Sequence, residues 1–183
     1  MMIDRIRREH GYMIRLLAIL ENKVANLKQG QSINYSLIKE IVDYLGDHSE
    51  RVHHPKEDLL YHYYLAHYGE QQEIENLELE HQELSIKTHA FLDVVEMILK
   101  DAVVPRDLFL NQLEDFLSAQ RKHLQLEERK VLPLICQQFT VEDWQTVESQ
   151  YSASEDDPVF GETIAEQYIQ LAQRVRIADD EVS

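Results

Sequence analysis

Four stretches of the chain repeat apolar residues at alternating steps of three and four, the spacing that lines up one face of an α-helix and turns it toward a core. The first face runs Ile3, Ile6, His10, Met13, Leu17, Leu20, Val24 and Leu27 and stops ahead of Gly30, a residue suited to a helix C-terminus. The third is the most regular, with Ile74, Leu77, His81, Leu84, Thr88, Phe91, Val95 and Ile98. The fourth, opened by Pro105 at a helix start, reads Phe109, Leu113, Phe116, Gln120, His123, Glu127, Val131 and Leu134. The second begins near Asn34 or Ser36 and passes through Leu37, Ile38, Ile41, Tyr44, Leu45 and His48 to His53, Glu57, Leu60 and Tyr64, with Gly69 closing it. Its register slips by about one residue between Val52 and His53. Pro55 lies just there, and an interior proline removes a hydrogen bond and clashes with the preceding turn, so a kink or bulge is expected over Ser49 to Pro55. Such bulges often mark function.

Four segments of roughly 25 to 35 residues with short connections describe an all-α fold, an up-down-up-down four-helix bundle. The bundle is expected over residues 1–138, and residues 139–183 form a short C-terminal helical extension. Within it, Phe139 to Ser149 reads as a short helix capped by Thr140, and Ser152 to Gly161 as a loop. Ile164, Tyr168, Leu171 and Val175 then suggest an amphipathic helix that packs on the bundle or on a partner, which would make a homodimer.

The faces are not wholly apolar. His10, His53, Glu57, His81, His123 and Glu127 occupy core positions, where a polar group loses hydration and needs a partner. His53 and Glu57, like His123 and Glu127, stand four apart, which stacks each pair on one side of its helix. The depths also agree: the histidine falls early in helices one and three and late in two and four, so antiparallel order brings all four toward one end of the bundle. Four imidazoles and two carboxylates suit two adjacent divalent ions, with the carboxylates bridging and open positions left for an outside ligand. Singly, each histidine reads equally well as a satisfied core residue. Six converging polar residues do not, because together they would make an unstable core.

These residues resemble the hemerythrin-like, or HHE cation-binding, family over about Ile3 to Ile135. His53-His54-Pro55-Lys56-Glu57 is similar to the family's first His-x-x-x-Glu motif and His123-Leu124-Gln125-Leu126-Glu127 to its second, with His10 and His81 as the single histidines of helices one and three. The resemblance implies a non-haem centre of two iron ions bridged by Glu57 and Glu127; manganese and zinc suit the same donors. The oxygen carriers have a second histidine one turn from the first on helix three, where Leu77 and Ser85 stand here, and an Asp five residues on in helix four. The six-residue set is closer to that of repair-of-iron-centres proteins. Glu50-x-x-His53 and Glu78-x-x-His81 also match the spacing of ferritin-like bundles, but helix one there needs a glutamate.

Charge narrows the partners. Of 183 residues, 34 are acidic and 18 basic, and the net charge of -16 repels nucleic acid and anionic membrane surfaces. The charged N-terminal stretch and the short run from Met13 to Leu20, broken by Arg15, offer no signal peptide or membrane span, so the chain reads as cytoplasmic. One cysteine, Cys136, excludes an internal disulfide and Cys-rich zinc sites; it reads as a small buried residue. His54, His62, His67 and His89 read as solvated or as lying behind the ligands, whereas His48 either packs or lines a route to the metals. Among the tyrosines, Tyr12, Tyr44, Tyr61, Tyr63, Tyr64 and Tyr68 are candidate donors to a bound ligand, though packing explains each equally well.

Three functions fit this site: a binding module that takes up oxygen, nitric oxide or iron in sensing, storage or stress response; an enzyme reducing peroxide or nitric oxide or repairing iron-sulfur centres; or a bundle stapled by structural metal.

Overall fold

The computed structural model of the chain describes residues 1–151, 157–162 and 164–182, with side chains to residue 177, and every regular element among them is helical. The long elements are α1 (Met2–Lys28), α2 (Tyr35–His48), α3 (His54–Tyr68), α4 (Gln72–Leu99) and α5 (Arg106–Leu126). Shorter ones follow: α6 (Leu132–Gln138), α7 (Val141–Ser149) and α8 (Ile169–Val182), which a 3-10 turn over Glu166–Tyr168 precedes. They pack as a helical bundle in which α1 lies against α2 and α5, and α4 against α2, α3 and α5.

Local chemistry sets the boundaries. The Asn34 side chain accepts from the Leu37 amide and caps α2, while Gly30, at φ +82°, turns the chain out of α1 in a conformation that a Cβ disfavours. The expected bulge is present: Ser49–His53 is a π-helical turn joining α2 to α3. A second, Glu127–Val131, joins α5 to α6 and was not signalled by the spacing of the fourth face. Each π turn is followed by a proline, Pro55 or Pro133, in the first turn of the next α-helix. A proline cannot donate to the carbonyl four residues back and its ring crowds that carbonyl; the wider turn absorbs both faults.

Nearly every residue of the four apolar faces is buried. The apolar residues gather in two clusters. One, centred on Leu16, Leu17, Ile38, Ile41, Phe91, Phe109 and Leu113, includes Tyr168, Leu171 and Val175, so the last helix packs against α2. The other comprises Met2, Ile3, Ile6, Leu60, Ile74, Leu77, Leu132, Ile135, Trp144 and their neighbours. The polar core residues lie along the chain between these two sets.

The short helix expected after Phe139 is α7, with a capping box in which Thr140 and Asp143 satisfy each other's backbone amides. Of the loop expected over Ser152 to Gly161, residues 152–156 lie outside the described residues, and the stretch from Asp157 carries turns. Cys136 departs from its expected burial: it is exposed on α6, a helix whose inner face is taken by Leu132 and Ile135. Among the described residues, no helix is long and apolar enough to cross a membrane.

Candidate metal centre

All six polar core residues come together. His10 arrives from α1, His53 from the first π turn, Glu57 from α3, His81 from α4, His123 from α5 and Glu127 from the second π turn; none exposes more than 5% of its surface. Both π turns therefore sit in the two helices that carry a His-x-x-x-Glu pair. At Ser49–His53, where the register slips, widening the helix lets the core face continue into the pair.

Among the described residues, donor atoms of His10, His53 and Glu57 form one set, and those of Glu57, His81, His123 and Glu127 a second; within each set they lie within 4.8 Å of one another. Glu57 belongs to both, and Glu127 reaches the first through its Oε2, 3.3 Å from His10 Nε2. The Glu127 Oε1 stands 3.3 Å from His81 Nε2 and 3.2 Å from His123 Nε2. Two neighbouring donor sets thus share Glu57, with Glu127 close to both.

The imidazoles are held from behind in a regular way. His10 Nδ1 meets Glu128 at 2.7 Å, His53 Nδ1 meets Glu9 at 2.5 Å, His81 Nδ1 meets Asp58 at 2.9 Å and His123 Nδ1 meets Glu80 at 3.1 Å. Each acid is the chain neighbour of a different core residue: Glu9 of His10, Asp58 of Glu57, Glu80 of His81 and Glu128 of Glu127. One step along a helix turns about 100°, so the neighbour of an inward residue faces the next helix. An Nδ1–H donated to a carboxylate leaves Nε2 with its lone pair aimed at the centre, the arrangement of a metal-ligating histidine.

Inside, partners run short. Nε2 of His10, His53 and His123, Oε1 of Glu57 and Oε2 of Glu127 are buried without a hydrogen bond. Such atoms are costly unless something occupies the space they share, and nitrogen and carboxylate oxygen are the donors that a divalent cation takes. Without a metal the same crowd holds protons tightly. Burial pushes His10 and His81 down, but Glu127 and Glu128 around His10, and Asp58 and Glu127 around His81, raise them to about 12 and about 10. Burial and the adjoining Glu127 push Glu57 up, and His53 and His10 outweigh them to bring it to about 2.

Several nearby residues escaped the spacing argument. Tyr61, one turn beyond Glu57, is buried and donates to Glu57 Oε2 at 3.0 Å and to Glu127 Oε1 at 2.9 Å. Burial, then Glu127 and Glu57, push its hydroxyl well above the usual tyrosine range, which keeps it a donor. His54 stacks face to face on His81, ring centres 4.0 Å apart and 7° from parallel. One of its nitrogens lies near those of His81 and His123, but stacked rings point their lone pairs side by side and not at a common point. His48 instead packs on Tyr44 and faces Asp157 at 3.4 Å. Glu9 gave no periodic signal; its mark is only that it is an acid beside His10.

Residues 1–135 match the family profile described as the hemerythrin HHE cation binding domain. No curated protein and no solved structure matches the chain at a significant level.

Proposed function

The chain belongs to the hemerythrin HHE cation-binding family, and from that premise we propose that it holds two iron ions on His10, His53, Glu57, His81, His123 and Glu127 and binds oxygen or nitric oxide there. The observation that carries this reading is the set of buried Nε2 and carboxylate oxygen atoms that face one another across one space without a hydrogen bond. When bound, the ions supply an open coordination position and reversible one-electron chemistry for a diatomic ligand.

The protein's own residues do the rest. Glu57, which belongs to both donor sets, and Glu127, whose Oε2 also reaches His10, would hold both ions and offset their charge. Glu9, Asp58, Glu80 and Glu128 fix the tautomer and direction of the four imidazoles. Tyr61 holds one oxygen of each bridging carboxylate in place. Leu60, Leu77 and Leu132, fully buried, belong with Met2, Ile3 and Ile6 to the apolar cluster next along the helices from the centre. A cleft of about 930 Å³ lined by Arg5, Glu9, Tyr12, His48, Tyr151 and Asp157 comes within one side chain of His53 through Glu9, and this reading takes it as the way in.

The bundle carrying this centre is an up-down-up-down arrangement of four helical arms over residues 1–138, with α2 and α3 as one arm and α5 and α6 as another. Residues 139–183 are the C-terminal extension, whose described helices α7 and α8 pack on α3 and α2. Support for the division comes from the family match ending at 135 and from α8 packing on α2.

The test is metal analysis of protein purified without oxygen, followed by spectra before and after oxygen and, separately, nitric oxide. Two iron ions per chain and a new absorption with either gas are expected. Fewer than two ions after iron loading, or no spectral response to either gas, overturns the proposal.

A further inference from the structure

The four carboxylates behind the imidazoles are not alike. Glu128, Asp58 and Glu80 keep side-chain exposures of 30%, 26% and 39%, whereas Glu9 keeps 7%. Glu9 is the least exposed of the four, and its charge is met by the ammonium of Lys56, a fully buried lysine hydrogen-bonded to the same Oε1 that has Arg5 Nε 3.5 Å away. The Glu9 carboxylate thus lies between the Lys56 ammonium on one oxygen and the His53 imidazole on the other.

The contrast extends to whole halves of the site. Behind His10, Glu128 has Arg7 at 3.8 Å, and behind His53, Glu9 has Lys56. Behind His81 and His123, no lysine or arginine among the described residues pairs with Asp58 or Glu80. A carboxylate on Nδ1 makes an imidazole a stronger donor to a metal on Nε2, and a cation on that carboxylate takes part of the effect back.

On the metal-centre reading above, we propose that Glu9 and Lys56 form a positioning pair that sets the charge behind His53 and makes the two metal positions inequivalent. The position on His10 and His53 has the weaker donors and is the second to fill. Neither residue touches the metal; both act through His53.

Stepwise titration of metal-free protein with cobalt(II), followed by its ligand-field spectrum, tests this without relying on iron or on any activity. The wild type takes up two ions with separate affinities. Glu9→Gln keeps an acceptor for Nδ1–H but removes the charge, and it weakens the second uptake by about 10 to 100-fold. Lys56→Met removes the buried cation and leaves Glu9 facing only the more exposed Arg5, which strengthens the same uptake, and Glu9→Gln with Lys56→Met together returns it toward the wild type. Opposite shifts that cancel belong to a charge pair. If both single variants weaken binding and the double is worse still, or if Lys56→Met changes neither affinity, the inference is overturned. Should Lys56→Met fail to fold, the double variant carries the test: a second affinity near the wild type, well above that of Glu9→Gln alone, supports the pair, and one no better than Glu9→Gln refutes it. A wild type that takes up fewer than two cobalt ions instead defeats the metal-centre reading.

Discussion

Glu57 belongs to both donor sets, whereas His10 and His123 each belong to one, so on the proposed reading both metal positions depend on it. Glu57→Ala is therefore expected to hold less than one metal ion per chain, and His123→Ala to retain about one, by metal analysis after loading and desalting. The Glu9 carboxyl gives a pH dependence with a definite sign. Its value in the folded protein, about 2, lies below the ordinary 4.5, so the folded state gains stability from it above about 4.5 and loses that gain as pH falls toward about 2. Melting temperatures of the metal-free protein should fall across that window, and Glu9→Gln should flatten the fall. The acids behind the histidines were legible in a sense that the spacing argument did not use. Each sits beside a core residue in sequence, but which histidine it serves depends on which helix lies next door.

At the scale of elements, α2 and α4 approach closely at Gly46, where an added Cβ would meet Thr88 Cγ2 at 3.2 Å. A leucine there must push Thr88, itself buried, out of the core. Gly46→Leu is expected to cost about 1 to 3 kcal/mol by urea denaturation. The short helix α7 depends on its cap, and Thr140→Ala should cost about 1 kcal/mol in the same measurement. The π turns show why helix faces can be read and helix junctions only half read. A slip in register announced the first, at Ser49–His53, because apolar residues lie on both sides of it. Glu127–Val131 left no slip, since Glu127 and Val131 both continue the inward face of α5 across the turn.

Across the whole molecule, a polar layer separates two apolar clusters, and each long arm of the bundle passes from one cluster through that layer to the other. Either cluster can hold helices without metal. The layer between them, with two buried carboxylates and four buried imidazoles, is held together without metal by ion pairs among these groups and by hydrogen bonds from Tyr61 and the acids behind them. Removing metal should lower the melting temperature while leaving most of the helical circular dichroism intact; collapse of the helical signal on chelation would instead identify the metal as a structural staple. The C-terminal segment is tied to the first cluster by Tyr168, whose hydroxyl donates to Asp43, and by Asp157, which accepts from Tyr44.

The sequence by itself determined the helical character of the chain, the inward face of each long helix and the six polar residues on those faces, because helical periodicity is a local property and a polar residue in an apolar row is conspicuous. The exposure of Cys136, the stacking of His54 on His81 and the place of Tyr61 against both carboxylates were decided by tertiary structure. So was the exchange of acids among neighbouring helices, and with it the buried Glu9–Lys56 pair. Those relations join residues of different helices, and their chemistry depends on distances that only the packed bundle sets.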